Sequence, residues 1–229
     1  MSSMSETTVV QRLRIRYAVE GPLRYVSVLD QARIWERLLR RAGMPLAYTQ
    51  GYNPRPRLQL GSALPVGYAS DCEFIDLFLS ADVTPEVLTK AITPQLPMGL
   101  TVYEVHQVPL KAAAIQSRVR EAWYEVRVWT DEVSAHDSGA RIQRAIDILL
   151  ARVEIPRQRH KKGRLADYDL RPLILDIRYH LQHDNCLLLV MRLQAGPHGS
   201  GRPEEVLDEL GLADGRYRIQ RRELVLAEE

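Results

Sequence analysis

Arginine is concentrated in one early stretch of the sequence. Between positions 33 and 57 there are six arginines and a single carboxylate, Glu36. Arginine binds phosphate oxygens in bidentate geometry, so this local excess of positive charge favours an anionic partner, although the net charge of the whole chain is only +2. The candidate phosphate-binding residues are Arg33, Arg37, Arg40, Arg41, Arg55 and Arg57.

The same stretch ends in a loop rich in glycine and proline at positions 51–57, and this loop contains Tyr52 and Asn53. An aromatic ring can stack on an unpaired base, and an asparagine amide can hydrogen bond to a base edge. The combination predicts binding of single-stranded RNA or of another phosphate-bearing ligand. Two alternatives remain open: a surface loop with solvated arginines and Tyr52 packed on the core, or contact with a protein partner.

A second basic segment runs from Arg152 to Arg164, with six basic residues against Glu154. Few apolar residues are available to anchor it, so we expect a loop that becomes ordered when an anion binds. The predicted RNA contacts in and after this segment are Arg159, His160, Lys161, Lys162, Arg164 and Arg171. Because Asp169 and Arg171 would share one face of an extended strand, a structural ion pair is as good an interpretation of Arg171 as a ligand contact.

The sequence offers little for catalysis. It contains no phosphate-binding glycine loop, no His-Glu-x-x-His helix and no Gly-x-Ser-x-Gly elbow. His160 is the one catalytic candidate, because the charges of Arg159 and Lys161 should keep it neutral near neutral pH, as a general base toward a ribose hydroxyl would have to be. We expect the chain on its own not to be an enzyme.

Metal and cofactor sites are not predicted either. Cys72 and Cys186 are too few for an iron–sulfur cluster or a cysteine-based zinc site, and each lies in an apolar run where we expect a buried, unpaired thiol. His180 and His183 flank a turn and do not share a helix face, which favours a solvated hairpin end over a metal site.

The periodicity of apolar residues predicts the elements that position these side chains. The first half reads strand, helix, strand, strand, helix, strand, over residues 12–19, 27–42, 58–60, 73–79, 84–94 and 100–105. The same order recurs over residues 123–130, 139–153, 173–181, 186–193, 203–210 and 217–226. The repeat predicts an α+β chain of tandem ferredoxin-like βαββαβ domains with antiparallel sheets, and a single α+β domain is the alternative.

The first predicted strand has a distinctive pattern. Arg12, Arg14 and Arg16 alternate with apolar residues, which predicts one buried face and one basic face. The predicted organisation is a flexible tail at residues 1–8, an N-terminal domain at 9–108, a linker at 109–121 and a C-terminal domain at 122–229. No run of 18 apolar residues and no signal peptide is present, so we expect a cytoplasmic protein without a membrane segment.

Several short stretches resemble a known family. They are residues 23–30, 36–43 with Pro45 and Leu46, 51–57, 63–67 with Glu73, 169–172 and 202–207. In these stretches the chain resembles the radical SAM-linked protein family, a domain of unknown function associated with cobalamin-binding radical SAM proteins. The resemblance implies a radical SAM partner enzyme that acts on RNA, and it transfers no catalytic residue. With two cysteines, this chain would be the companion and not the cluster-bearing enzyme.

The layout is also similar to that of RAMP-type CRISPR RNA endonucleases, a likeness of fold alone. Our leading hypothesis is therefore an accessory RNA-binding protein, without a cofactor, that presents an RNA substrate to a radical SAM partner. The alternatives are a metal-independent endoribonuclease and a structural subunit of the radical SAM partner without RNA contact. The sequence predicts no oligomeric state.

Overall fold

The computed structural model describes residues 8–129, 135–161, 163–182, 185–197 and 199–227. The chain has a mixed α+β structure with mostly antiparallel sheet and few helices, and it divides into two units. The first unit ends at Arg118 and also includes Ala227. The second unit comprises Val119–Leu226.

The described residues of the first unit form four strands and three α-helices. They are β1 (Gln11–Val19), α1 (Val28–Arg41), β2 (Leu58–Leu60), β3 (Ala69–Leu79), α2 (Pro85–Ile92), β4 (Leu100–Val108) and α3 (Ile115–Arg118). The strand order is β4-β1-β3-β2, and each pair of neighbours is antiparallel. The predicted order of strands and helices in this half is confirmed.

Helix α1 forms where the sequence predicts it. Ser27 caps its N-terminus by accepting a hydrogen bond of 3.2 Å from the Asp30 backbone N–H. Beyond its C-terminus the chain turns at Gly43, which has a φ of +68°. The buried side of the helix includes Trp35, which packs edge-on against Tyr17 of β1 with ring centroids 5.0 Å apart.

The predicted basic face of β1 is wrong as a solvent-facing surface, because Arg12 and Arg14 are buried. Both guanidinium groups bind the carboxylate of Asp76 on β3, with the two Nε atoms at 3.1 and 2.7 Å from its oxygens. Arg12 also donates to the carbonyls of Ala112 and Ala113, at 2.6 and 3.1 Å. A buried arginine is tolerated where it is paired and fully hydrogen bonded, and pattern alone cannot reveal such a partner.

The residues that follow β4 complete this arrangement. Besides the two carbonyls that bind Arg12, the segment contributes Ile115 of α3, which is fully buried and lies against Gly61. Helix α3 contacts β2. The stretch predicted as a linker, residues 109–121, thus includes residues that cover the arginine-bearing side of the first sheet.

In the part of the second unit that the structure describes there are six strands and two α-helices. They are β5 (Val119–Trp129), α4 (Ala135–Ala151), β6 (Pro156–Lys161), β7 (Arg164–Asp169), β8 (Ile174–Leu181), β9 (Cys186–Gln194), α5 (Pro203–Glu209) and β10 (Arg216–Leu226). The strand order of its sheet is β10-β5-β9-β8, again with antiparallel neighbours. The predicted strands and helices of this half are confirmed, but β6 and β7 were not predicted.

Among the described residues, strands β6 and β7 pair only with each other and form a separate antiparallel hairpin. The prediction of a basic loop at this position is therefore wrong. In the sheet itself, β5 alternates strictly: Ala122, Tyr124, Val126 and Val128 are buried, and the residues between them are partly exposed. The buried side chains share the core with the apolar faces of the helices, including Ile146 of α4.

Cys72 and Cys186 are both buried, as predicted, and they are not joined by a disulfide. In the part of the chain that the structure describes, no helix is long and apolar enough to cross a membrane.

Candidate nucleic-acid interface

Four arginines project from the solvent side of α1. Arg33, Arg37 and Arg41 are spaced four residues apart and therefore lie in a row on one side of the helix, with Arg40 beside them. The side chains of Arg37, Arg40 and Arg41 are exposed, since the opposite side of the helix supplies the core residues. The helix thus presents a positively charged side to solvent.

Among the described residues, Arg33 is the arginine of this row that forms an ion pair with a carboxylate. Its guanidinium group lies 2.7 Å from a carboxylate oxygen of Asp30, one turn earlier, and both side chains are more than half exposed. Hydrogen bonds from Ser27 and Arg33 lower the pKa of Asp30, so the carboxylate stays ionised at neutral pH. Arg33 consequently contributes less free positive charge to the helix surface than Arg37 and Arg41.

The loop after α1 is closed by backbone hydrogen bonds. The Arg57 N–H donates to the Ala47 carbonyl at 2.7 Å, and the Thr49 N–H donates to the Arg55 carbonyl at 2.8 Å. The Arg55 N–H returns to the Thr49 hydroxyl at 3.1 Å. Residues 50–54 form the tip of the loop, where Tyr52 and Asn53 are exposed. The structure excludes the alternative in which Tyr52 packs on the core, because its ring is fully exposed.

Two arginines are oriented by aromatic rings. Arg40 of α1 lies over the ring of Tyr48, 5.8 Å from its centroid, which brings the helix and the loop together. Arg57 lies over Phe78 of β3 at 4.4 Å. Tyr48 is absent from the predicted contacts, although an aromatic residue close to an arginine-rich helix is a usable signal. Arg57 is not brought together with the α1 arginines, because Phe78 also contacts Arg12 and so lies on the side of the sheet away from α1. We call the following set the arginine–tyrosine surface: Arg33, Arg37, Arg40, Arg41, Tyr48, Tyr52, Asn53 and Arg55.

The second basic segment is not equivalent to the first, because α5 holds its arginines. Arg157 of β6 lies 2.5 Å from carboxylate oxygens of both Asp208 and Glu209. Arg159 binds both carboxylate oxygens of Glu205, at 3.1 and 3.0 Å, and the Ser200 carbonyl at 3.1 Å. The segment that we expected to become ordered only when an anion binds is thus a hairpin, and carboxylates of α5 already neutralise its arginines Arg157 and Arg159.

This ion-pair network explains two further features of the second unit. Carboxylates near the C-terminus of a helix oppose the helix dipole, and the arginines offset that cost at Asp208 and Glu209. Arg159 also stacks on the ring of Tyr168 in β7, 3.9 Å from its centroid. Burial and the neighbouring Glu205 carboxylate raise the pKa of Tyr168.

We expect Arg157→Ala to loosen the hairpin without unfolding the second unit. Charge-assisted hydrogen bonds of this kind contribute roughly 1.5–3 kcal/mol, which corresponds to roughly a 10- to 150-fold larger population of the locally open state. Hydrogen exchange of the β6 and β7 amides measures this change. Arg164→Ala, at an exposed position in the same hairpin, is the matched control and should leave exchange unchanged; equal exchange in the two variants would contradict the anchoring role.

The remaining predicted contacts of the second half have mixed outcomes. Arg171 donates to the carbonyls of Leu150 and Ile174, at 2.8 and 2.9 Å, and Asp169 accepts from the backbone N–H groups of Ile155 and Arg171. The two residues therefore stabilise the junction between β7 and β8 separately and do not form the ion pair that the spacing suggested. Arg164 is exposed.

The catalytic candidate cannot be placed. The side chains of His160 and Lys161 lie outside the described residues, as do Lys162 and His183. Among the side chains that are described, no group of three or more His, Cys, Asp and Glu residues is arranged to hold a metal ion.

Residues 12–203 match the family model described as "Uncharacterized protein conserved in bacteria (DUF2344)". The chain belongs to this family. No curated protein matches the DUF2344 chain.

Solved structures similar to the DUF2344 chain have low sequence identity to it. A chain of a Cbf5-Nop10-Gar1 complex is 11% identical with a TM-score of 0.49, over 93% of this chain and 48% of that one. A chain of an archaeal box H/ACA sRNP Nop10-Cbf5 complex is 10% identical with a TM-score of 0.47, over 96% and 50%.

A third similar structure is an H/ACA RNP bound to a substrate RNA containing 2′-deoxyuridine. It is 10% identical with a TM-score of 0.43, over 92% of this chain and 46% of that one. The DUF2344 chain thus spans about half the length of the solved chains to which it is similar.

Proposed function

We propose that this DUF2344 protein binds unpaired RNA through the arginine–tyrosine surface. The observation that carries the proposal is Tyr52, a fully exposed aromatic ring at the tip of a loop that backbone hydrogen bonds hold closed. An exposed ring forgoes the free energy of burial, and stacking on a base recovers it without requiring a particular sequence. Asn53 beside it supplies donors and an acceptor for a base edge.

The charges around Tyr52 suit a phosphate backbone. Arg55 flanks the loop tip, and Arg37 and Arg41 extend the positive surface along α1. Stacking of Arg40 on Tyr48 restricts the Arg40 side chain before any ligand arrives, which lowers the entropic cost of binding. Stacking and charge thus come together on one unit.

The proposed biological role is that of an accessory protein that presents RNA to a radical SAM enzyme. Its support is the sequence resemblance to the radical SAM-linked family. In this role the partner supplies the cluster and the chemistry, and this chain supplies RNA affinity and positioning.

We also propose that both units are ferredoxin-like. The support is the order β-α-β-β-α-β in each unit, combined with sheet orders β4-β1-β3-β2 and β10-β5-β9-β8, which place the first and third strands at the centre in both cases. In the second unit the β6–β7 hairpin is inserted between the first helix and the second strand of this pattern.

Salt dependence separates the electrostatic contribution to binding from stacking. For Arg37→Gln/Arg41→Gln we expect the slope of log affinity against log salt to flatten by about 1.4, because each of the two lost phosphate contacts with single-stranded RNA contributes about 0.7 to the slope. Tyr52→Ala should weaken binding by at least about fivefold and leave the slope unchanged. Both are measured by fluorescence anisotropy of a labelled single-stranded RNA.

The matched control for the arginine variant is Arg141→Gln/Arg144→Gln. These two arginines are exposed on α4, so the variant removes the same charge from a helix outside the proposed surface. It should bind RNA with the wild-type slope. If the Arg37/Arg41 variant and this control have the same slope and affinity, the proposed surface is wrong.

A further inference from the structure

The sheet of the second unit has one face that is not buried by its helices. The partly exposed residues of β5 lie on this face, and the strand register places their neighbours beside them. From β10 come Arg216, Arg218 and Gln220; from β5 come Glu121, Trp123, Glu125, Arg127 and Trp129; from β9 come Leu188, Val190, Arg192 and Gln194; from β8 come Asp176, Arg178 and His180. We call this set the tryptophan face.

All of these side chains are partly or fully exposed. The residues between them along β5 and β9, such as Val126 and Leu189, are buried in the core instead. In the first unit the corresponding arginine-bearing side of the sheet is covered by residues 112–115, and Arg12 and Arg14 are buried there. The two units therefore differ in what their sheets present to solvent.

Two of the three tryptophans of the chain lie on this face. Each has an arginine over its ring: Arg192 is 5.7 Å from the centroid of Trp123, and Arg216 is 5.0 Å from that of Trp129. The two rings are six residues apart on one strand, a separation of about 20 Å. Glu125 and Arg127 lie between them on the same face and are paired with each other at 3.6 Å.

Positive charge exceeds negative charge on the tryptophan face. Arg192 is paired with Glu121 at 2.6 Å, and Arg222, which follows Gln220 on β10, is paired with Glu125 at 2.9 Å. Arg178 is paired with Asp176 at 2.8 Å. For Arg216 and Arg218 no anionic partner occurs among the residues that the structure describes, and both are exposed.

We propose that the tryptophan face is a second binding site for single-stranded RNA, separate from the arginine–tyrosine surface. A four-stranded sheet can bind single-stranded RNA by stacking bases on aromatic side chains of its exposed face, with basic residues taking the phosphates. Trp123 and Trp129 provide the stacking platforms, and Arg216 and Arg218 provide phosphate contacts at one end. The interleaved charges disfavour a protein partner, because the core of a protein interface is depleted of charged residues.

The tryptophans also supply the measurement. Trp35, the third tryptophan, is buried in the first unit, so quenching of intrinsic fluorescence by RNA reports on Trp123 and Trp129. The full-length protein is titrated with an oligouridine of about 12 nucleotides, within the usual range of single-strand site sizes. We expect quenching on binding. A titration in which the labelled oligomer binds without quenching overturns the proposal.

Variants locate the site. Trp123→Leu/Trp129→Leu removes the reporting fluorophores, so its binding is measured by anisotropy of the labelled oligouridine, and it should weaken binding to this face by at least about fivefold. Arg216→Gln/Arg218→Gln should lower the RNA affinity obtained from the quenching titration. This variant changes only exposed side chains, so it tests the site even if the leucine variant fails to fold. Arg141→Gln/Arg144→Gln on α4, on the helical side of the same unit, removes the same charge and should leave the transition unchanged. Equal effects of the two arginine pairs overturn the proposal.

A third protein separates this site from the proposed function. In Arg37→Gln/Arg41→Gln/Tyr52→Ala the arginine–tyrosine surface is removed and the tryptophan face is intact. Quenching that persists in this variant supports a separate site, whatever happens to the first one. Quenching that disappears overturns the second site, and the anisotropy experiment on the first surface is then judged alone.

Discussion

Asp76→Asn should destabilise the first unit more than any other conservative substitution discussed above. The side chain is fully buried and is the carboxylate that binds both Arg12 and Arg14, which are themselves buried. Asparagine would leave two guanidinium groups without their counterion beneath the segment that covers them. Removing one partner of a buried ion pair costs about 3–5 kcal/mol, a large share of the roughly 5–15 kcal/mol that stabilises a typical protein.

Urea denaturation measures this loss in a Trp123→Leu/Trp129→Leu background, where the tryptophan emission comes from Trp35, which is buried in the core of the same unit. Asp82→Asn is the control: Asp82 is exposed in the same unit, so its substitution should leave the midpoint close to that of the wild type. A shift for Asp76→Asn no larger than that of the control would mean that the buried cluster does not stabilise the fold.

Gly196→Ala should be the most damaging glycine substitution in the second unit. Gly196 follows β9 with a φ of +105°, a backbone conformation that residues with a Cβ atom rarely adopt. A Cβ atom there would also collide with the carbonyl oxygen of Val119 at the start of β5. The left-handed conformation costs about 1–3 kcal/mol and the overpacking about 1–3 kcal/mol more, since the obstacle is backbone and cannot rotate away.

Gly211→Ala separates these two costs. Gly211 follows α5 with a φ of +68°, and a Cβ atom there would meet nothing within 4 Å. This variant should carry only the conformational cost, so its free energy of unfolding should fall by less than that of Gly196→Ala. Equal losses in the two variants, measured by chemical denaturation, would show that the approach of Val119 is unimportant.

The periodicity of apolar residues was sufficient to predict the helices and strands, but it did not predict which residues contact their polar sides. The apolar stripe of α1 and the alternation of β5 predict which side of each element is buried, because helices and strands have fixed repeats. The same logic fails at Arg12 and Arg14, since their partner Asp76 lies more than 60 residues away in sequence. A pattern within one strand cannot show whether its polar side meets solvent or a buried carboxylate.

The two basic segments illustrate the same limit at the candidate site. Local charge counts are alike, yet Arg157 and Arg159 are neutralised by carboxylates of α5 about 50 residues later, whereas Arg37 and Arg41 remain exposed. The tryptophan face could have been predicted, because Glu121, Trp123, Glu125, Arg127 and Trp129 alternate with buried residues in the sequence itself.

The contacts of Arg12 with Ala112 and Ala113 decide where the chain can be divided for separate expression. A fragment that ended with β4 at Val108 would lack the two carbonyls that accept from this buried guanidinium group, and it would lack the fully buried Ile115. A fragment extended through Arg118 keeps all of them. Because Arg12 requires these two acceptors, a fragment of the first unit should extend about ten residues beyond the end of β4.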